Sequence, residues 1–348
     1  MPVRSLASGN ALPVYPFFGL DCGIEQLVNL AFMFRHRKDR PLLSSHAAKS
    51  VGEGVACGVC GGPMRPHLLS NTFVCPACGF LASYLPVRIN QVERIDEAAR
   101  AKALKRLRQR NFEIVLAEVD AVASPNRKLL DVGCAHGWFL EAARACGYDA
   151  VGIEPDHAIA AEARADGHRV ILGEFPAALD PGDRYDIITF NDVFEHLPGP
   201  AAMARATRRA LAPGGVVAVT LPVSDGVVFR LASGAARVGV TGPLARLWQV
   251  GLPSPHLSYF SAATLVRLFT EAGFVLVRSG TLETIAREGL YERIRYDRAL
   301  GSVRAATFYA AALLLRGASR HLGSDIGYFL FRQEDCPPGV RPRDVPTR

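Results

Sequence analysis

The sequence predicts an α/β protein, a parallel β-sheet with helices packed on both faces, preceded by a small module held by four cysteines. Three observations carry this prediction. From Arg127 onward, short apolar strands alternate with helical segments. One of these strands runs straight into a glycine turn that opens a helix. Ahead of them, four of the eight cysteines fall into two CxxC pairs. Strand–helix alternation makes βαβ units, whose crossovers are long enough to lay successive strands parallel.

The 348 residues suffice for one large domain and a small one. With 49% hydrophobic and 21% charged residues, the chain is too apolar to stay disordered. The net charge of +7, from 40 basic and 33 acidic residues, admits an anionic partner without requiring one. No run approaches the roughly 20 apolar residues that span a bilayer. The longest, residues 305–315, reads as a buried or interfacial helix, so peripheral membrane contact stays open. No secretory pattern opens the chain, and a reducing, cytoplasmic setting is expected, in which paired CxxC means metal ligation rather than a disulfide framework.

Residues 1–54 read as a partly disordered tail, with one apolar piece at 24–34 that suits a short helix. Residues 55–88 hold Cys57-Gly58-Val59-Cys60 and Cys75-Pro76-Ala77-Cys78. Two such knuckles supply four thiolates in a tetrahedron, the donor set of a structural Zn2+ site in a zinc-ribbon-like module. A module this small needs such a staple. Residues 89–125 read as a helical linker: Ile95, Leu104, Leu107, Ile114, Val115, Val119 and Val122 recur at helical spacing, and Ser124-Pro125 ends the run.

The α/β domain occupies 126–332. Strands are expected at 128–132, 149–154, 170–172, 185–191 and 215–221, then at 274–282 and 326–332. Helices are expected at 136–146, 156–166, 200–211 and 261–272. Insertions at about 225–255 and 283–322 interrupt the scheme and suit lids or acceptor-binding elements. Residues 333–348 form a second tail.

The stretch Leu129-Leu130-Asp131-Val132-Gly133-Cys134-Ala135-His136-Gly137 is a buried strand, a glycine turn and a helix start. Gly133 and Gly137 permit a tight bend and close approach of a ligand. Some twenty residues on, Val151-Gly152-Ile153-Glu154 is a strand ending in an acid, placed to accept the hydroxyls of a ribose. Asn191-Asp192-Val193-Phe194-Glu195-His196-Leu197 follows the fourth strand, and Leu211-Ala212-Pro213-Gly214-Gly215, Pro255-His256-Leu257-Ser258-Tyr259-Phe260-Ser261 and Glu271-Ala272-Gly273-Phe274 come later in that order.

Taken together, in this order and spacing, residues 111–332 resemble the class I S-adenosylmethionine-dependent methyltransferases. They are most similar to a subgroup that includes ubiquinone-biosynthesis-like and glycan-pathway enzymes. The resemblance implies a Rossmann-like sheet of seven strands, mostly parallel, with the last antiparallel. It implies S-adenosylmethionine as cofactor, with Asp131, Gly133, Ala135 and Gly137 around its methionine and ribose, and Glu154 on the ribose hydroxyls. Pro155, Asp156 and Glu174 would lie near the adenine, and Asn191 and Asp192 near the sulfonium and the acceptor. Ala135 stands where relatives carry glycine; one added methyl is expected to be tolerated.

Methyl transfer is an in-line displacement, so positioning dominates, and a hydroxyl nucleophile gains from a general base. His196, His256 and Asp192 are the candidate catalytic residues. The expected acceptor is a small molecule or glycan (a sugar, nucleotide sugar or lipid-linked saccharide), methylated at oxygen. The alternatives are an RNA methyltransferase that reads its substrate with the cysteine module, and a binding protein that keeps the fold without catalysis. The sequence leaves the oligomeric state open.

Overall fold

The computed structural model of the chain describes residues 55–89, 97–123, 126–283 and 325–334, with Leu290, Ala306, Tyr309, Ala310 and Leu313. The expectations for residues 1–54, for most of the 283–322 insertion and for the tail beyond Glu334 lie outside the described residues.

In chain order, the cysteine module contributes β1 (Arg65–Pro66), β2 (Thr72–Val74) and β3 (Leu81–Ser83). Then follow α1 (Glu97–Asp120), β4 (Lys128–Val132), α2 (Trp138–Ala145), β5 (Asp149–Glu154), α3 (His157–Ala165) and β6 (Val170–Leu172). Next come β7 (Tyr185–Asn191), a short 3-10 turn at Phe194–His196, α4 (Pro200–Ala210) and β8 (Leu211–Pro222). The remainder is α5 (Val227–Arg237), α6 (Gly242–Leu247), β9 (Ser258–Tyr259), α7 (Ala262–Glu271), β10 (Phe274–Thr281) and β11 (Ile326–Gln333).

Seven strands form one sheet in the order β10-β11-β8-β7-β4-β5-β6. The pairs β4–β5, β4–β7, β5–β6 and β7–β8 are parallel, while β11 runs antiparallel to both β8 and β10. This is the expected architecture. Buried side chains cover both faces: Leu130, Ile188, Phe190 and Val217 face one core, and Leu129, Ile187, Val216 and Leu330 face the other. Helix α1 belongs to the second core rather than serving as a linker. Its Val115, Leu116 and Val119 are buried there, whereas Ile114, expected on the apolar face, is 40% exposed. Side chains three and four apart share a helix face, so the stripe through 115, 116 and 119 leaves 114 on its flank.

A second sheet, of order β1-β2-β3-β9, contains a strand that sequence periodicity did not reveal. β9 has two residues, too few to show a period of two, and it comes just after the first insertion. It pairs antiparallel with β3, Leu81 against Tyr259 and Ala82 against Ser258. Ser83 N–H donates to Leu257 O (2.9 Å), and Ser83 Oγ to His256 O (2.6 Å). Cys57, Val59, Cys75 and Phe80 lie in the same core cluster as Phe194, Phe260 and the sheet residues. The cysteine module is thus continuous with the α/β domain.

Phe80, 1% exposed, is the hinge of that continuity, its ring centroid 5.1 Å from that of Phe260. Phe80→Ala should cost about 3–5 kcal/mol. Urea unfolding followed by tryptophan fluorescence and by thiol reactivity should give one shared transition at lower denaturant. Separate melting of the module, with the α/β domain at its original midpoint, would show that the two do not share a core.

Candidate active site

From β4 the chain moves outward to β5 and β6, then returns to place β7 on the other side of β4. Open α/β sheets bind ligands at the carboxyl ends of strands where the order reverses in this way. Asp131, on β4, stands at that point, opposite Gly152 on β5 and Thr189 on β7. It is 2% exposed, and its Oδ1 accepts from Thr189 Oγ1 (2.7 Å) and Asn191 Nδ2 (3.0 Å). Burial pushes its carboxyl up to about 7. The two hydrogen bonds oppose that rise, and the nearby Glu154 carboxyl adds to it.

Glu154, at the end of β5, is also buried. Its Oε2 accepts from the Ala135 N–H (3.1 Å) and its Oε1 from the Asp156 N–H (2.9 Å). Burial raises its pKa against those two bonds. The loop after β4 is tied to the same strand end, since Gly133 N–H (2.8 Å) and Cys134 N–H (3.1 Å) both donate to Ile153 O. Turn and acid therefore form one unit.

Gly133, Ala135 and Gly137 all adopt left-handed backbone, with φ of 71°, 46° and 77°. A Cβ on Gly133 would meet Val193 Cγ2 at 2.5 Å, and one on Gly137 would enter the His168 ring. Gly137 is thus required by packing against His168, where the sequence suggested room for a ligand. Size alone would admit Ala135 in place of glycine. Its positive φ makes the departure from glycine a matter of backbone strain instead.

The other expected cofactor residues divide by environment. The Asp156 carboxylate caps α3, accepting from Ala158 N–H (2.9 Å) and Ile159 N–H (3.0 Å), so its side chain has a structural partner. Pro155 is partly buried between Glu154 and that cap, and Glu174 is exposed just beyond β6. Asn191 bridges its neighbours, donating to Asp131 and lying 3.5 Å from Thr220 Oγ1. Asp192 has φ 55°, and its N–H donates to Thr220 O (3.0 Å), which turns the chain sharply off the end of β7. Thr189 and Thr220 were not foreseen; in sequence they look like ordinary strand residues, and only strand register places them beside Asp131 and Asn191.

His196 and His256 come together, with ring centroids 4.7 Å apart. His196 Nδ1 lies 3.1 Å from Pro255 O, the geometry of a protonated Nδ1 donating to a carbonyl, which leaves Nε2 as the basic nitrogen. Burial lowers its pKa to about 4. His256 is 0% exposed, with Nε2 3.0 Å from Gln249 Nε2 and 4.0 Å from Glu195 Oε1, and burial holds it well below the usual range. Its enclosure leaves no face for an acceptor, so the expectation that it acts as a base does not suit its position. Glu195, 1% exposed, has neither carboxyl oxygen hydrogen-bonded, and burial, with the Asp192 charge, raises its pKa well above normal. Ligand atoms of Glu195, His196 and His256 lie within 4.8 Å of one another, so this trio could also hold a metal.

The four cysteines also converge. Cys57 and Cys78 Sγ are 3.6 Å apart, Cys60 and Cys75 Sγ 3.5 Å, and all four lie within 4.8 Å. Cys57 Sγ accepts the N–H groups of Val59 (3.4 Å) and Cys60 (3.5 Å). Gly61 (φ 74°) and Gly79 (φ 79°) close the two knuckles, donating to Cys57 O and Cys75 O.

Among the described residues no helix is long and apolar enough to cross a membrane. A family model described as a methyltransferase domain matches residues 97–279, over half of the chain. The ubiquinone biosynthesis O-methyltransferase of Methylococcus capsulatus is 36% identical over 99 residues, which are 26% of this chain and 41% of that protein. The enzyme of the same name from Xanthomonas campestris is 32% identical over 120 residues, 32% of this chain and 49% of that one. The chain therefore spans under half the length of these curated relatives. Among solved structures, the cyclopropane synthase MmaA2 from Mycobacterium tuberculosis aligns with a TM-score of 0.47 at 17% identity, over 72% of this chain and 90% of that one.

Two measurements check this geometry. Ala135→Gly should raise unfolding stability by about 1 kcal/mol in urea titration, because it relieves a left-handed alanine. Asp131 titrates near 3.8 when unfolded and near 7 when folded. The folded state is thus favoured while Asp131 stays protonated, and that advantage is lost as pH rises through about 7. In Asp131→Asn this loss is absent, so the variant's stability relative to the parent should rise between about pH 4 and pH 8. A pH-independent difference would show that Asp131 is ionised throughout.

Proposed function

The chain belongs to the methyltransferase-domain family, and from that premise we propose that it transfers the methyl group of S-adenosylmethionine to an oxygen atom of a small-molecule or glycan-type acceptor. The observation that carries this reading is the pair of buried carboxyls, Asp131 and Glu154, on adjacent strands at the point where the strand order reverses. That the similar enzymes of Methylococcus capsulatus and Xanthomonas campestris are O-methyltransferases supports oxygen as the acceptor atom.

When bound, S-adenosylmethionine supplies a methyl carbon already activated by a cationic sulfur. The chain's part is to bind and orient. Glu154 keeps both oxygens anchored on backbone N–H groups, leaving its remaining lone pairs for ribose hydroxyls. Asp131, held by Thr189 and Asn191, offers negative charge toward a cationic ligand once it ionises. Asp192 and His196 follow the end of β7, with the basic Nε2 of His196 enclosed. With a pKa near 4, His196 is neutral at physiological pH and can accept an acceptor proton only weakly, so alignment does most of the work.

The four thiols fit one structural Zn2+. Bonds of about 2.3 Å in a tetrahedron put sulfurs about 3.8 Å apart, and the observed separations of 3.5 and 3.6 Å are close to that. Such a site is closed to substrate, so its role is to brace the module against Phe194 and Phe260 beneath the acceptor rim. Metal analysis of the purified chain should give one zinc per chain. Cys57→Ser should lose the metal and unfold at lower temperature.

Glu154→Ala should weaken S-adenosylmethionine binding about tenfold or more in calorimetric titration, with near-UV circular dichroism unchanged. Equal affinity would mean that another group holds the ribose. Transfer of radiolabelled methyl to nucleotide sugars or lipid-linked saccharides is the expected activity. Label appearing in RNA, with the sugars unlabelled, would overturn the acceptor class.

A further inference from the structure

The α5–α6 hairpin combines three properties that nothing in the crevice uses. First, it is devoid of negative charge. Residues 226–270 contain no Asp or Glu, although the chain has 33 such residues in 348, and they include Arg230, Arg237 and Arg246. Second, it shows apolar side chains to water. Among the described residues nine large apolar side chains are highly exposed, and four of them fall between 231 and 250: Leu231 (49%), Val238 (79%), Val240 (39%) and Val250 (41%). Third, charge and apolarity share one face. Val228, Phe229, Ala232 and Ala236 turn inward onto Trp248 and Tyr259. On α5 this leaves Arg230, Leu231, Gly234, Arg237 and Val238 within a single outward arc of the helix.

The hairpin's place in the fold gives these properties a direction. α5 begins just beyond Pro222, at the carboxyl end of β8, the same end of the sheet that carries Asp131, Glu154 and Asn191. Its first turn is fixed there, since Val228 N–H donates to Asp325 Oδ1 (2.7 Å). The turn Val238-Gly239-Val240, with Gly239 at φ 90°, forms the tip between α5 and α6.

We propose that the α5–α6 hairpin is a docking surface for an anionic lipid bilayer, with Leu231, Val238 and Val240 entering the interface and Arg230 and Arg237 meeting the headgroups. An apolar helix face flanked by arginines and free of acids is the pattern that lies in the plane of a membrane surface. The arginines draw it to negative leaflets, and the buried apolar area retains it. A neutral partner protein would find no use for the charge, and a nucleic acid would find no use for three exposed aliphatic side chains. Docked in this way, the chain would hold the carboxyl ends of its strands beside the bilayer. The docking itself does not depend on the methyl-transfer reading.

The test is vesicle sedimentation of the full chain at low and high salt, with phosphatidylcholine vesicles alone or mixed with phosphatidylglycerol. The chain should pellet with the mixed vesicles and stay in solution with the neutral ones. Arg230→Ala and Arg237→Ala should each weaken binding about fivefold, and high salt should mimic them. Val238→Glu, at a position 79% exposed and outside the core clusters, should abolish pelleting while S-adenosylmethionine binding by calorimetry stays unchanged. Three results would overturn the proposal: no pelleting with mixed vesicles, equal pelleting of Val238→Glu, or binding to phosphate-bearing RNA that Val238→Glu leaves intact. A chain that docks but binds no S-adenosylmethionine would instead refute the catalytic reading and leave the docking in place.

Discussion

The architecture depends on the enclosure of two carboxyl groups at adjacent strand ends. Asp131 and Glu154 sit side by side with little access to water, an arrangement that desolvation and mutual repulsion both oppose. It persists because each oxygen that is turned inward meets a fixed donor. Glu154 is met by two main-chain N–H groups of the loops it joins, and Asp131 by the side chains of Thr189 and Asn191 from the next strand. The left-handed turns at Gly133 and Ala135 follow, since only that path brings the Ala135 N–H back to β5.

The cysteine module rests on a different constraint, the scarcity of core in a piece so small. Its strands have two or three residues each and bury little by themselves. Thiols drawn into a cluster tie the knuckles, and Phe80 carries the module into the aromatic group of Phe194, Phe260 and Phe269 beneath the end of β7. Gly58 continues the contact, because a side chain there would collide with Pro200 at the start of α4. Module and rim thus share one packing problem, and a change in either is felt by the other.

Much of this was legible in the sequence, for a physical reason. Strands buried on both faces, such as Ile187-Ile188 and Val216-Val217, leave continuous apolar runs. The bounds of β7 match those expected, whereas β8 begins at Leu211, four residues before the expected 215, because Leu211 pairs with Tyr185 across a register shift that the Pro-Gly-Gly stretch hides in sequence. The CxxC spacing fixes its own geometry. Tertiary partnership was not legible. The burial of Leu116 in place of Ile114 depends on which side of α1 meets the sheet, and β9 is a strand only because β3 is there to pair with it. The same holds at the site. Asp131 and Glu154 announced themselves by position at strand ends. Thr189 and Thr220 gained their meaning only from register, and His256 looked like a rim residue until Trp248, Gln249 and Tyr259 closed around it.

The late arrival of β9 has a consequence for how the molecule is made. Ser83 finds its partner 173 residues further along the chain. During synthesis from the amino terminus, the outer edge of β3 therefore waits, uncovered, until β4 to β8, five of the seven strands of the larger sheet, have been translated. The part translated early is among the last to be completed, and its closure reports that the strands around the crevice are already in register.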